Sequence, residues 1–288
     1  MYLKISFLIY LLALISHLQA QKADRQLTRK LEAVLKEFNG DAGIYVKNLR
    51  TGGTVSINAD TLFPTASMIK IPILAGIMAK IDKGELSDTM KLTYRDSLLY
   101  AGVDILGSFK ENEKIELGHI TMLMLTMSDN TASLWLQSLA GGGVEINDKM
   151  QELGLSHTRV NSRTPGREAQ RAEYGWGQTT PREMALLFEK MVNGEVISRA
   201  ISDRMLRMTS RNHWDDVSIS QIPVGIFISS KNGAVDASRS EVLYVNLPGN
   251  PYIFCICTKN NTDKSWNESN EAWRMTRNVS KLLYEYYK

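Results

Sequence analysis

Three short groups of residues in this chain carry side chains that could make and break an acyl bond. The first is Ser67-Met68-Ile69-Lys70. A serine hydroxyl is a weak nucleophile and needs a neighbouring base. A lysine can be that base when burial and nearby cations lower its pKa. The apolar positions that follow, Ile71, Ile73, Leu74, Ile77 and Met78, predict a buried helix. Ser67 then falls in its first turn, where the helix N-terminus favours developing negative charge. Lys70 lies one turn on along the same face, and Pro72 is compatible with the first turns. Alone the tetrad is a weak signal. Ser-x-x-Lys arises about once by chance in a chain this long, and a helix cap followed by a solvated lysine fits it equally.

The second group, Ser128-Asp129-Asn130, separates two stretches of helical periodicity, residues 117–127 and 131–139. It predicts a helix–helix turn, and all three residue types are good caps. As a site it offers a hydroxyl for proton relay and an amide to orient a substrate carbonyl. The third, Lys231-Asn232-Gly233, is placed at the end of an expected strand over residues 224–230. There a lysine can hold an anion and a glycine lets a substrate backbone approach closely. A plain Asn-Gly turn is the alternative.

The elements that must position these groups follow from periodicity. Residues 24–38 have helical spacing through Leu27, Leu31, Val34, Leu35 and Phe38, with Asp24 as N-cap. Residues 42–48 and 54–58 read as a hairpin. A mostly helical middle runs from about residue 66 to 207. Strands are expected over 222–229, 241–247 and 252–258, then an amphipathic helix over 270–287. The economical assembly is an α/β fold of the α+β sandwich kind: an antiparallel sheet of about five strands flanked by helices, with an inserted all-helical lobe. The α/β lobe takes residues 24–62 and 208–288, and the helical lobe takes 63–207.

Bulk properties bound the function. The 288 residues are 43% hydrophobic and 23% charged, the balance of an ordinary folded protein. A formal net charge of +3 with no block of like charges gives no reason to expect a nucleic-acid partner. Lys4, the apolar run 5–16 and Ala20 read as a signal peptide over residues 1–20, cleaved to leave residues 21–288 exported, periplasmic or secreted. The run is shorter than the roughly 20 residues of a membrane span, so no stable membrane anchor is expected after cleavage. Cys255 and Cys257 sit at i and i+2 of one expected strand, too close and stiffly held to pair easily, and read as core. His119, His157 and His213 stand in no motif with Ser67, and no metal-ligand spacing occurs.

Taken together, the three groups resemble the S-x-x-K, S-D-N and K-T-G elements of class A β-lactamases and the related penicillin-binding proteins. Further likeness runs through Thr126-Met127-Ser128-Asp129-Asn130-Thr131-Ala132 and through Thr179-Thr180-Pro181. The resemblance covers nearly the whole mature chain. It implies a monomeric serine hydrolase of small-molecule β-lactams that needs no cofactor and no metal. Ser67 would be the nucleophile, activated by Lys70. Ser128 would pass a proton to the departing nitrogen, assisted by Lys231. Asn130 would hold the substrate side-chain amide, and the backbone N–H groups of Ser67 and Ala234 would form the oxyanion hole.

Two features depart from the family pattern. Class A enzymes carry a Glu-x-x-Leu-Asn element in the loop before the Thr-Thr-Pro helix, and its Glu activates the water that releases the acyl group. The corresponding residues 161–178 lack that element and offer Glu168 and Glu173. A turn at Thr164-Pro165-Gly166 favours Glu168. Alternatively both are solvated and pair with Arg163, Arg167 and Arg171, and the protein then behaves like a penicillin-binding protein. The second departure is Asn232, where the family usually has Thr or Ser. An amide still donates to a substrate carboxylate, with Gly233 beside it, and Arg239 on the next strand could supplement the contact. Besides β-lactam hydrolysis, the same scaffold admits a peptidase or amidase, or a β-lactam-binding protein that is acylated without turnover.

Overall fold

The computed structural model describes residues 22–288, so the expected leader, residues 1–20, lies outside the described residues. Its framework is a six-stranded sheet in the order β1-β3-β2-β11-β10-β9. These strands are β1 (Lys22–Ala23), β2 (Asp41–Asn48), β3 (Gly53–Ile57), β9 (Ile228–Val235), β10 (Ser238–Val245) and β11 (Tyr252–Lys259). Five of them are antiparallel, as expected. The sixth, β1, is a two-residue parallel addition at the edge.

Every residue of β10 and all but the last of β11 are buried. This explains the unbroken apolar run of β11, since a central strand covered on both faces has no solvent side to show. Its residues alternate: Ile253, Cys255 and Cys257 face one core, and Tyr252, Phe254 and Ile256 the other. The two cysteines are free thiols on one face with sulfurs 3.7 Å apart. The second core is closed by α1 (Arg25–Leu35) and α9 (Glu271–Tyr287) through Leu27, Leu31, Met275, Val279 and Leu283. Both helices start where a side chain satisfies free N–H groups. Asp24 accepts from Leu27 N at 2.9 Å, and Asn270 accepts from Ala272 N at 3.1 Å.

The first core joins the sheet to the inserted lobe, whose centre is α2 (Lys70–Asp82), preceded by a 3-10 turn over Ala66–Ile69. Lys70 through Met78 are all buried, the signature of a helix surrounded by others. The insert also holds α3 (Leu117–Met122), a π-helical turn (Leu123–Met127), α4 (Asn130–Leu139), α5 (Gly142–Glu152), α6 (Glu168–Tyr174), α7 (Pro181–Asn193) and α8 (Arg199–Met208), of which α4, α5 and α8 pack directly on α2. Short strands also occur between the two halves of the sheet. β4 (Phe63–Pro64), β8 (Gly177–Thr179) and β7 (Arg159–Val160) form one small sheet, and β5 (Lys91–Thr93) pairs with β6 (Lys114–Glu116). The insert is therefore not wholly helical. β8 ties the 161–178 loop to the nucleophile segment, because Thr65 N donates to Gly177 O at 2.9 Å.

One expected strand is displaced. Instead of residues 222–229, the edge strand is β9, beginning at Ile228. Pro223-Val224-Gly225 forms the preceding turn, with Gly225 at φ +99° and Val224 fully exposed. Lys231, Asn232 and Gly233 consequently lie inside the strand, opposite Val242, Glu241 and Ser240 of β10, and not at a turn. The turn comes later, at Asp236-Ala237.

Candidate active site

Two strained residues aim the reactive side chains. Ala66 (φ +42°) precedes Ser67, and Ser128 itself adopts φ +61° at the end of the π-helical turn. Non-glycine residues pay for a left-handed backbone and keep it where the surroundings enforce it, commonly at functional sites. Ser67 is in the 3-10 turn one step before α2, and Lys70 is the first residue of α2. Lys70 Nζ lies 3.0 Å from Ser67 Oγ, 3.0 Å from Ser128 Oγ, 2.5 Å from Ser128 O and 3.0 Å from Asn130 Oδ1. One buried amine thus joins the first motif to the second.

The lysine's surroundings set its protonation. Burial, then the nearby Lys231 charge, hold its pKa well below the ordinary lysine value, while Asp129 partly opposes them. Lys231 is also fully buried, and burial brings it down to about 7 against the opposing pull of Glu241. Its Nζ donates to Asn232 O at 2.9 Å and to Asn232 Oδ1 at 3.2 Å. Asp129 is a structural member of its motif. Its carboxylate caps α4 by accepting from Ala132 N at 2.7 Å, and holds the 99–106 segment by accepting from Ile105 N at 2.6 Å and Leu106 N at 2.9 Å.

Gly233 brings the third motif against the first. A Cβ there would stand 2.4 Å from Thr65 O and 2.6 Å from Ser67 N, both backbone atoms that cannot step aside. Only glycine lets β9 lie directly on the nucleophile turn. The next residue, Ala234, shares with Ala66, Ser67 and Asn130 the wall of a cleft of about 520 Å³. Tyr100 and Trp176 meet edge to face across its lining, 5.0 Å between centroids. Nothing in the spacing of those two aromatics marks them in the sequence.

Of the expected site residues, Ser67, Asn130 and Ala234 line the cleft, Lys70, Ser128, Lys231, Asn232 and Gly233 pack behind that wall, and Glu168 and Arg239 are held elsewhere. Glu168 begins α6, accepts from Gly166 N at 3.1 Å and lines a separate hollow with Asn161, Thr164 and Arg171. The turn at Thr164-Pro165-Gly166 points it away from Ser67. Glu173, one turn further along α6, lines the Ser67 cleft instead. Arg239 does stand on β10, but it is buried between Trp266 and Trp273, with its guanidinium 4.5 and 4.8 Å from the two rings. It donates to Val235 O, Ser238 O and Ser265 O, so its charge secures the β9–β10 hairpin and is not offered to a ligand.

A half-buried serine, a buried lysine and a second serine hydroxyl lie together under a sheet edge, with a helical lobe forming the opposite wall, on the β-lactamase and transpeptidase-like fold. Residues 26–287 match the model of the β-lactamase enzyme family, and the chain belongs to that family. It is 25% identical to β-lactamase VEB-1 of Pseudomonas aeruginosa over 276 residues, 91% of this chain and 90% of that one. Among solved structures it is similar to PBP-A, with TM-score 0.82 and 26% identity over 93% of this chain and 97% of the other. A variant of PBP-A solved as an acyl-enzyme complex with penicillin G gives TM-score 0.82 and 27% identity, covering 94% and 99% of the two chains. A β-lactamase from Sphaerobacter thermophilus, at TM-score 0.78 and 21% identity over 89% of this chain and 94% of that one, shares the fold.

Proposed function

We propose that this protein is an exported serine hydrolase of the class A type that opens the β-lactam amide through an acyl-enzyme on Ser67. The observation that carries the reading is the position of Lys70 Nζ, 3.0 Å from both Ser67 Oγ and Ser128 Oγ. With its pKa lowered by burial, Lys70 takes the Ser67 proton as the oxygen attacks the lactam carbonyl. The Ser67 and Ala234 N–H groups receive the oxyanion, an arrangement whose individual donors contribute about 3 kcal/mol in enzymes of this kind. Ser128 gives its proton to the departing nitrogen and recovers one from the Lys70 ammonium, so the proton taken from Ser67 ends on the opened ring. Lys231 and Asn232 hold the substrate carboxylate, and Asn130 faces its side-chain amide. Water then cleaves the ester, with Glu173 as the general base because it is the loop carboxylate on the cleft wall.

A second reading, a penicillin-binding-protein-like acceptor that deacylates slowly, is favoured by a different observation. Among the described residues no carboxylate hydrogen-bonds to Ser67 or Lys70, and Glu173 is exposed. One experiment separates the readings: turnover of a chromogenic cephalosporin by residues 21–288, with intact mass followed in parallel. Steady turnover with little adduct supports hydrolysis. A persistent adduct on Ser67 supports the acceptor, and neither adduct nor turnover rejects both.

A further inference from the structure

Asn232 differs from a threonine or serine at the same place in one chemical respect. A hydroxyl rotates to donate wherever an acceptor is found, whereas a carboxamide has one donor end and one acceptor end that cannot serve the same partner. Whether Asn232 attracts or repels a ligand carboxylate depends on which end faces out. Two groups in the structure decide this. Lys231 Nζ is 3.2 Å from Asn232 Oδ1, and Asn212 Nδ2 is 3.4 Å from the same oxygen. Both are donors, so the oxygen is drawn to them and the Asn232 NH2 is turned the other way. Among the described residues no acceptor engages that NH2.

Asn212 is itself fixed. Its Oδ1 accepts from Trp214 N at 3.2 Å, which leaves its NH2 for Ser230 Oγ at 3.2 Å and for Asn232. The short segment carrying it bridges the two lobes. His213 N donates to Thr126 O at 3.0 Å, and Trp214 Nε1 donates to Met127 O at 3.0 Å, on the turn that ends at Ser128. On the other side, Ser230 N donates to Thr209 O at 3.0 Å, locking the same segment to β9.

We propose that Asn212 is a positioning residue for substrate specificity: it holds the Asn232 carboxamide with its NH2 toward the ligand and so makes the Lys231–Asn232 pair a receptor for a carboxylate. This rests on the acyl-enzyme reading above. Asn212 touches no substrate and no reacting atom. Lys231 supplies the charge, Asn232 the oriented donor, and Asn212 the orientation. Without Asn212, the amide at position 232 can turn its oxygen outward, and a ligand carboxylate then meets a repulsive group.

The test compares benzylpenicillin with its methyl ester, which has the same lactam without the anionic group. It uses the wild type, Asn212→Ala and Asn212→Asp, with acylation of Ser67 followed by mass. Asn212→Asp nearly preserves shape but presents only acceptors, so it draws the Asn232 NH2 inward. Losing one such polar contact costs about tenfold. The second-order acylation constant for benzylpenicillin should therefore fall about tenfold in Asn212→Ala and further in Asn212→Asp. The loss should appear in apparent affinity, with the methyl ester changed less than about twofold. On an Asn232→Thr background, where a hydroxyl orients itself, the Asn212 substitutions should lose their discrimination. Equal losses for acid and ester, or undiminished losses on the threonine background, overturn the proposal and leave Asn212 a scaffold residue. Failure of the underlying reading is distinguishable, because the wild type would then form no Ser67 adduct with either compound.

Discussion

Lys70 and Lys231 are two buried amines with different duties, and their titration should separate them. Lys70 must be neutral to take the Ser67 proton, and burial holds its pKa well below the ordinary lysine value. The maximal acylation rate should therefore rise with pH as the ammonium is lost, over a range below that of an ordinary lysine. Replacement by arginine, which stays charged, should lower acylation at least about a thousandfold, read by stopped-flow of a chromogenic cephalosporin. Lys231 must be a cation to hold a carboxylate, and its pKa is brought to about 7 by burial. It is charged below that value and neutral above it. KM for carboxylate-bearing substrates should therefore climb as pH rises past 7 while the maximal rate does not fall. A flat KM between pH 6 and 9 would show that the anion is held elsewhere. At the loop, Glu173→Gln should trap the Ser67 adduct, and Glu168→Gln should leave its lifetime within about twofold. The reverse pattern in intact-mass time courses would return the role to Glu168.

At the scale of elements, the interlocking of turn, strand and helix decides what is reactive. β9 can lie on the nucleophile turn only because position 233 lacks a Cβ. Gly233→Ala should therefore keep the fold, since β9 is an edge strand, yet lower acylation about a hundredfold by lifting Ala234 N–H from the oxyanion position. Asp129 shows the converse. It is fully buried, and its three backbone partners join α4 to the 99–106 segment. Asp129→Ala should cost about 3 kcal/mol, measured by denaturant unfolding. These elements were unequally legible in the sequence. Period-2 and period-3.6 patterns placed β2, β3, β11 and α9 within a residue of their ends, while α1 stops three residues short of the expected end. The strand over 222–229 was displaced because Ile222, Val224 and Ile226 imitate alternation, while the sequence shows no edge partner such as β10 against which to register it. Asn-Gly, a usual turn signal, is here pulled straight by pairing with Glu241 and Ser240. The positions of Ser67, Lys70 and Ser128 were legible because they are local to a helix start and a turn. Which loop glutamate meets the cleft depends on where α6 begins, and Asn212 acts through a partner twenty residues away, so neither leaves a local mark.

On the scale of the whole molecule, the sheet separates two populations of buried charge, and they meet through β10 and β9. On the face toward α1 and α9, Glu241 is buried opposite Asn232, accepting from Ser218 N at 3.3 Å, and burial pushes its carboxyl up to about 7. Below its unfolded value, near 4.5, native and unfolded chains both keep this proton. Between 4.5 and 7 the native protein retains a proton that the unfolded chain has released, so stability falls as pH rises through that window. Lys231 contributes the opposite slope. Between 7 and 10.5 the unfolded chain binds a proton that the native state does not, so stability recovers as pH rises. The pair therefore places a local minimum of stability near neutrality, where the enzyme keeps Lys231 poised between charge states. Glu241→Gln removes the acidic limb without changing shape. It should raise stability at pH 7 to 8 by an amount on the order of 1–2 kcal/mol and flatten the fall between pH 5 and 7, read from urea midpoints across that range. Because Glu241 also supports the Lys231 charge, the same substitution should move the rise in KM for anionic substrates to lower pH. A more stable variant with weaker anion binding at pH 7 is the expected signature of a carboxyl retained for the site at the expense of the fold. If the variant is destabilised and its KM profile is unmoved, the two sides of the sheet are electrostatically independent.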